Sequence, residues 1–354
     1  MSRRIKAGVL LSILVLCSIF LVVSCSPEEQ VDSQDDDDLP EHIVIATVPG
    51  SALAITEGLA SLIQGELGVS AAPQMVTGTR YPLLIDRTAD IAYEDAETIL
   101  GLFKGEDPCK EVGKQPIRLI ATVATNQVAA MTWKGSGVKS FSDLKGKRFM
   151  FDYPASFTTT VMGDLLLEVN GMTRDDVAVL SLNSINEAVD AIKDKTADLV
   201  LHPSAIEGSA QFVELAMTTD VEFISLSEEE VSAVLDELWY FQKSEFPTDT
   251  YQGQDGTIVG VGNKMSYVAL ADLSDEFVYQ MMKILFDDVE IDTPGRFTRY
   301  HPSSGAFTLG LALSGEGLAP FHAGAVRYYK ERGVWTDGLE ETQQALLKEA
   351  GQEY

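Results

Sequence analysis

The chain has 354 residues, of which 26 are basic and 54 are acidic, and its formal net charge at pH 7 is −28. This acidity excludes a nucleic-acid-binding surface and argues against peripheral adhesion to anionic lipid. The folded part, about residues 41–340, is long enough for two domains.

Residues 1–24 have the organisation of a secretion signal. Three basic residues precede an uncharged, mostly apolar run over Ala7–Ser24, as the n-region of a signal peptide precedes its h-region. Val22, Ser24 and Cys25 occupy the aliphatic, small and cysteine positions of a lipobox. This pattern predicts that the Cys25 thiol carries palmitate-type acyl chains. A plain signal peptide and a single anchor helix are the alternatives, although the run is at the short limit for a bilayer span.

Residues 25–40 combine the acylated cysteine with an acidic tether. The segment lacks aromatic residues and carries four consecutive aspartates at Asp35–Asp38. Such a composition buries too little apolar surface to offset the entropy that is lost on ordering. We therefore expect a monomer that its lipid anchors to the cell membrane on the extracytoplasmic side.

Strands and helices alternate from the end of the tether onward. A helix over Ala52–Leu67 and a shorter one after Thr79 separate the first three strands. The predicted strands are His42–Thr47, Ala71–Val76, Asp90–Tyr93, Ile117–Thr125 and Val128–Trp133. This β-α-β-α-β order predicts an α/β fold with a parallel, doubly wound sheet.

A second α/β series begins near Ser140. Its predicted strands are Phe149–Phe151, Val177–Leu182, Ala197–Leu201 and Val221–Leu226. Its predicted helices are Phe157–Asn170, Asn186–Lys195, 207–217 and one that Ser227 caps with Glu230 in a capping box. The glycine-containing stretch Thr248–Gly260, with the backbone-binding amide of Gln254, predicts a turn-rich loop.

Two α/β series in one chain predict a hinged protein with two lobes. The expected first lobe comprises residues 41–134 and 247–335, and the second comprises residues 135–246. A helical tail is expected over residues 336–354. The chain would pass between the lobes near Trp133 and again near Gly253.

The sequence contains no catalytic motif. It lacks a G-x-S-x-G elbow, a Walker A motif, an H-E-x-x-H helix and a G-x-G-x-x-G turn after a strand. The histidines show no metal-ligand spacing; they are His42, His202, His301 and His322. Cys109 remains after Cys17 leaves with the signal and Cys25 is acylated, and no Cys/His arrangement surrounds it. We therefore expect no enzyme, no cofactor and no metal site.

Small polar residues collect in four strand-to-helix loops, Val48–Ser51, Thr77–Arg80, Tyr153–Thr159 and His202–Ala205. Ligands of open α/β sheets bind beyond the carboxyl ends of strands, where helix N-termini suit a carboxylate. Each loop alone has the composition of a helix cap, but two belong to each lobe and together they predict a ligand cleft. The candidate ligand-binding residues are Val48, Pro49, Ser51, Thr77, Gly78, Thr79, Arg80, Glu94, Tyr153, Ser156, Thr158, Thr159, His202 and Ser204.

Arg80 is the strongest single candidate. A cation at a helix start opposes the helix dipole, and a residue that breaks a local rule more often serves a function. We predict that Arg80 and the helix N-termini at Ser51 and Ser156 hold a carboxylate or a similar anion. An exposed arginine, or a salt bridge to one of the many carboxylates, is the alternative. If Glu94 and Asp95 enter the cleft, a cationic group such as an amino acid's ammonium could sit beside them.

Four segments resemble the TAXI-type solute receptors of TRAP transporters. Residues 136–148 are similar to the motif that opens the family's second lobe and that other binding proteins share. The sequence FPTDTYQGQD at Phe246–Asp255 resembles the family's more specific IPAGTYPGQD. Leu273–Phe286 and His322–Gly333 resemble two later motifs. The resemblance covers about residues 43–335.

This resemblance implies a type II periplasmic-binding-protein fold and a receptor that delivers a small organic anion or amino acid to TRAP membrane subunits. The expected binding loops depart from the family pattern, with Val48 and Pro49 in place of glycines in the first loop and Arg80 and Glu94 in the second and third. The scaffold therefore carries over and the ligand does not. A receptor for an ABC importer and a sensory or structural lipoprotein are the competing interpretations.

Overall fold

The computed structural model describes residues 39–153, 157–205, 208–289, 295–301, 304 and 307–351. Several predicted features lie outside the described residues: the signal, the lipidation site Cys25, the tether up to residue 38 and the ligand contact Ser156. Within the described part, none of the helices combines the length and the apolarity that crossing a membrane requires.

The described residues form ten strands in one mixed sheet. The strands are β1 His42–Thr47, β2 Ser70–Met75, β3 Ile91–Asp95, β4 Ile117–Trp133, β5 Arg148–Asp152, β6 Ala178–Ser181, β7 Leu199–Ala205, β8 Val221–Phe223, β9 Phe241–Phe246 and β10 Ile258–Leu270. Their order is β2-β1-β3-β10-β4-β7-β5-β6, with β8 beside β4 and β9 beside β10. The long strands β4 and β10 therefore lie between one group, β1 to β3, and a second group, β5 to β7.

Eleven α-helices connect the strands in the described part of the chain. They are α1 Ser51–Leu67, α2 Tyr81–Ile85, α3 Ala96–Lys104, α4 Phe157–Val169, α5 Ile185–Lys193, α6 Ala210–Thr218, α7 Glu228–Glu237, α8 Asp275–Phe286, α9 Leu309–Leu313, α10 Ala323–Glu331 and α11 Asp337–Glu349. The capping box predicted at α7 is confirmed, because Glu230 N donates to Ser227 Oγ and Ser227 N donates to Glu230 Oε2. Such caps satisfy the free N–H groups of a first turn.

The predicted parallel pairing is confirmed in both groups of strands. Strand β1 runs parallel to β2 and to β3, and β5 runs parallel to β6 and to β7. The α/β class predicted from the sequence is therefore confirmed. Because parallel strands end at the same edge of a sheet, the loops that follow β1, β2 and β3 lie close together. The lobe boundaries near residues 134 and 247 stay a prediction.

The prediction of two separate strands at Ile117–Thr125 and Val128–Trp133 is wrong. They form the single strand β4 of 17 residues, which is antiparallel to β10 and to β7. The chain continues through Asn126 and Gln127 because both residues pair with β10 on one side and with β7 on the other. Gly262 of β10 lets the two strands lie close together at this point, since a Cβ at position 262 would lie 2.2 Å from the Thr125 side chain of β4.

The prediction of a loop at His202–Ala205 is also wrong. These residues are the end of β7 and pair with residues 126–129 of β4. Pro203 is tolerated because β5 pairs with β7 only at Leu199 and Val200, so Pro203 lies at a free edge where its missing N–H costs no ladder bond.

The stretch Thr248–Gly260 forms the predicted turn, although β10 already begins within it at Ile258. The Tyr251 side chain is 2% exposed, and its ring stacks on Phe223 with centroids 4.0 Å apart. The Gln254 amide accepts a hydrogen bond from Tyr251 N at 3.1 Å and donates to nearby backbone carbonyls. The loop is thus fixed by one buried ring and one amide side chain.

Candidate functional site

The first two predicted loops lie side by side at the carboxyl ends of β1 and β2. Val76 N donates to the carbonyl of Thr47 at 2.9 Å and joins them. Below them, Thr56 Oγ1 lies 3.2 Å from both Thr47 Oγ1 and the Tyr267 hydroxyl. Among the predicted ligand contacts, Val48 and Ser51 are half-buried, and the exposed ones are Pro49, Thr77, Gly78 and Thr79.

Arg80 is buried and forms an ion pair within the protein. Its side chain leaves the second loop and places Nη2 2.7 Å from Glu94 Oε2 and 3.5 Å from Asp95 Oδ2. Nε donates to the Tyr93 carbonyl at 2.7 Å, and Nη1 donates to the Gly78 carbonyl at 2.8 Å. The guanidinium is therefore neutralised by the chain's own carboxylates, as in the salt-bridge alternative. Direct contact between Arg80 and a ligand stays a prediction.

Glu94, which the sequence also places in the site, lies at the end of β3 with no exposed surface. Its Oε1 accepts a hydrogen bond from Arg80 N at 3.0 Å. Burial raises the pKa of Glu94 to about 7, and the charge of Arg80 partly opposes that rise. Glu94 therefore changes charge within the neutral range.

Glu97 and Asn263 belong to the same site, and the sequence did not single them out. The Glu97 carboxylate, in the first turn of α3, accepts hydrogen bonds from the Asn263 side chain and from Thr158 N at the start of α4. The Asn263 amide nitrogen also lies 3.3 Å from Thr158 Oγ1. Burial, followed by the charge of Asp95, raises the pKa of Glu97 well above its ordinary value. Residues of β3, α3, α4 and β10 thus meet at one point.

The sequence offered one weak signal for this pair. An acidic residue in the first turn of a helix is ordinary, so Glu97 has no distinguishing pattern. Asparagine is depleted in strands, and Asn263 occupies a central position of β10 between Phe241 and Asn126. A buried asparagine in a central strand needs polar partners, and Glu97 and Thr158 supply them.

The candidates from β5 and β7 form a second polar group. The Tyr153 ring stacks on His202 with centroids 5.7 Å apart. His202 Nδ1 lies 2.5 Å from the Pro203 carbonyl, and its buried Nε2 has no hydrogen-bond partner among the described residues. Burial lowers the pKa of His202 to about 4. Ser204 Oγ accepts from Ser209 N at 2.8 Å, so this side chain holds the start of α6.

Thr158 and Thr159, in the first turn of α4, are both buried. Thr158 belongs to the group around Glu97, as described above. The structure therefore brings together three of the predicted contacts, Arg80, Glu94 and Thr158, through the unpredicted residues Glu97 and Asn263. The ligand contacts themselves stay a prediction.

A profile of the NMT1-like family matches residues 43–333. The chain belongs to the NMT1-like family. The match covers all the strands of the sheet except the first residue of β1, and it includes every loop that the sequence predicts to bind a ligand. The match does not name TAXI receptors, so the TAXI identity stays a prediction.

Several solved structures are similar to this NMT1-like chain at low sequence identity. The periplasmic aliphatic sulphonate binding protein SsuA from Escherichia coli matches with a TM-score of 0.45 and 13% identity, over 89% of each chain. PhnD1 from Prochlorococcus marinus, in complex with methylphosphonate, matches with a TM-score of 0.46 and 12% identity, over 71% of this chain and 86% of its own. The arginine-bound amino acid ABC transporter substrate-binding protein AbpA from Streptococcus pneumoniae matches with a TM-score of 0.42 and 13% identity, over 88% and 97%.

Two buried carboxyls and two buried histidines have opposite effects on how stability depends on pH. Burial raises the folded pKa of Glu94 to about 7 and that of Glu97 well above its ordinary value, whereas it lowers those of His202 and His322 to about 4. Between about pH 4.5 and 6.5, the unfolded histidines bind protons that the native ones do not, so they make stability rise with pH. The native carboxyls keep protons that the unfolded ones lose, so they make stability fall with pH.

Glu94→Gln should therefore steepen the rise of stability with pH. The substitution removes one carboxyl that makes stability fall with pH, and it leaves the two histidines that make stability rise with pH. Between pH 5 and 6, the free energy of unfolding of the variant should increase by about 1 kcal/mol more than that of the parent. Urea unfolding at both pH values measures this difference. Equal changes in parent and variant would show that Glu94 does not titrate with a raised pKa.

Proposed function

We propose that the chain is a lipid-anchored extracytoplasmic receptor that captures a small solute and delivers it to the membrane subunits of a TRAP transporter. The loops that follow β1 and β2 at one edge of the parallel strands, in a chain whose residues 43–333 match the NMT1-like family, support this proposal. The four TAXI-like segments, above all Phe246–Asp255, favour a TRAP partner. An ABC importer is the other partner class that this type of receptor serves.

The ligand belongs to the small organic acids or amino acids. The loops after β1 and β2 present polar backbone and small side chains at one sheet edge, where such ligands bind. Helix α1 begins there at Ser51, with no acidic residue in its first turn and no side-chain cap, so its N–H groups suit a carboxylate. Because Arg80 is already paired with Glu94, an amino acid fits this local charge better than a simple anion.

A thermal-shift screen tests the receptor function. Residues 41–354, unfolded and refolded to remove any carried ligand, are screened with amino acids, dicarboxylates and related acids. A ligand at about 100 times its dissociation constant should add roughly 2.7 kcal/mol to the free energy of unfolding. Stabilisation by none of these solutes would contradict the proposal. Co-purification with integral TRAP subunits rather than with an ATPase would distinguish the two partner classes.

Cys25→Ala should release the protein from membranes or block its processing. The substitution removes the thiol that the pattern of Val22, Ser24 and Cys25 assigns to acylation. Cys17→Ala is the matched control, since Cys17 lies in the apolar run upstream of the lipobox and should leave anchoring intact. Cell fractionation and the intact mass of the mature protein provide the measurement. An unchanged membrane fraction and mass in Cys25→Ala would refute lipidation at this residue.

A further inference from the structure

We propose that Asp95, Glu97 and Asn263 form the subsite for a cationic group of the ligand, an ammonium or a guanidinium. The inference rests on the proposed receptor function and specifies the ligand class. It makes the cationic group a requirement for binding.

The first argument is the imbalance of charge in the site. Glu94, Asp95 and Glu97 contribute three carboxylates, and Arg80 contributes one guanidinium. Nη2 of Arg80 lies 2.7 Å from Glu94 and 3.5 Å from Asp95. In the described part of the chain, no cationic side chain pairs with Glu97, whose hydrogen bonds come from neutral donors. A buried carboxylate without a counter-charge is costly, and a bound cation would remove that cost.

The second argument is an acceptor atom without a donor. Oδ1 of Asn263 is buried and has no hydrogen-bond partner among the described residues, while its amide nitrogen donates to Glu97. Asn263 lies two residues before Met265, which pairs with Asp95, so Asn263 and Met265 point to the same face of the sheet. The free atom is thus an acceptor beside the Glu97 carboxylate, on the face of the sheet that Asp95 shares. An ammonium or a guanidinium supplies only donors and satisfies all of them.

The third argument is that an anion is already present at the start of α4. Thr158 N donates to the Glu97 carboxylate, so the chain's own acid occupies the position that a ligand carboxylate would take at this helix N-terminus. A second anion there would meet Glu97 and Asp95 without a free counter-charge. This end of the site therefore rejects an anionic group.

Access and neighbouring groups agree with this assignment. The Asp95 side chain is 23% exposed, whereas Glu97 and Asn263 are each 6% exposed. A cation can therefore meet Asp95 first and Glu97 behind it. Burial, followed by the charges of Glu97 and Asp95, raises the pKa of the Tyr240 phenol.

Binding of the cation should release a proton from the site. Without a counter-charge, burial holds the pKa of Glu97 well above its ordinary value, and a cation beside it favours the carboxylate. The proton passes to the buffer. The ionisable groups around Glu97 are Asp95, Glu94 with its partner Arg80, Tyr240 and Cys109. Of these, Glu94 has a pKa raised to about 7, so its contribution to proton release must be separated by a variant.

Calorimetry with the full chain in detergent tests the proposal. Each amino acid that binds is compared with the carboxylic acid that lacks its ammonium, such as L-glutamate with glutarate, and L-lysine is compared with cadaverine. We expect at least about tenfold weaker binding of the deaminated acids. Measurements in phosphate and in Tris at pH 7 reveal proton release, which Glu97→Gln should abolish and Glu94→Gln should not.

Variants distinguish a cation subsite from a general effect on the fold. Glu97→Gln and Asp95→Asn should each weaken the amino acid by about tenfold or more, and asparagine at position 95 still caps α3. Glu106→Gln, at an exposed position, is the matched control and should bind as the parent does. Equal binding of the deaminated acids, or unchanged affinity in both variants, would overturn the subsite alone. Binding of no probe by the folded chain would overturn the receptor function and this inference together.

Discussion

Arg80→Met should destabilise the protein by about 3–5 kcal/mol at pH 7.5, the range for removing one partner of a buried ion pair. Arg80 is 6% exposed and Glu94 is fully buried. The substitution leaves Glu94 without its cation and removes the bonds from the guanidinium to the carbonyls of Tyr93 and Gly78. Urea unfolding followed by circular dichroism measures the loss.

The loss should be smaller at pH 5. The Arg80 charge lowers the pKa of Glu94, so its removal raises that pKa further and the carboxyl takes up a proton. A neutral Glu94 no longer needs a counter-charge. For the same reason, Glu94→Gln added to Arg80→Met should recover part of the stability at pH 7.5. A loss that does not depend on pH would show that packing, and not charge, makes Arg80 important.

Arg87→Met is the matched control for Arg80→Met. Arg87 pairs with Asp272 at 2.6 Å, but their side chains are 62% and 60% exposed. Solvent screens such pairs, which contribute about 0–1 kcal/mol at most. If the two arginine variants lose equal stability, the buried pair does not have the role assigned to it.

The double variant Arg80→Met/Glu94→Gln also tests whether Arg80 contacts the ligand. Lost affinity in that folded protein would support direct contact between Arg80 and the ligand.

The elements that could be predicted from the sequence are those that local pattern determines. The apolar, β-branched run at His42–Thr47 specifies β1 with its observed bounds, and Ser227 with Glu230 specifies the start of α7. Strand β4 was divided in the prediction because Asn126 and Gln127 are poor strand residues. Only their pairing with β7 and β10 keeps the strand continuous, and such pairing is invisible in a local window.

The candidate site was harder to predict because its partners are distant in the sequence. The sequence analysis singled out Arg80 as unusual, but 54 acidic residues leave its partner undetermined. Glu97 and Asn263 are 166 positions apart, and they meet because β10 lies beside β3. His202 was predicted to lie in a loop, yet it belongs to β7 because residues 202–205 pair with β4. The order of the strands in the sheet decides these contacts, and local sequence patterns do not predict that order.

Gly324→Ala is expected to cost about 3 kcal/mol or more, at the upper end of overpacking effects. Gly324 lies in the first turn of α10, where it touches α8. A Cβ at this position would lie 2.2 Å from the carbonyl oxygen of Asp275 and 2.9 Å from Tyr279 N. Both neighbours are backbone atoms of a helix and cannot rotate away as a side chain could. The two helices would have to separate, and the buried side chains of Phe277 and Tyr328 would lose contacts.

Gly65→Ala is the control that isolates this close approach. Gly65 lies in α1 and is exposed, and a Cβ there would meet no other described part of the chain within 4 Å. Alanine there should stabilise the protein by up to about 1 kcal/mol, because glycine is the weaker helix former. Thermal and urea unfolding of both variants give the comparison. Opposite signs would attribute the cost at Gly324 to the contact between α8 and α10, whereas similar destabilisation by both substitutions would refute that attribution.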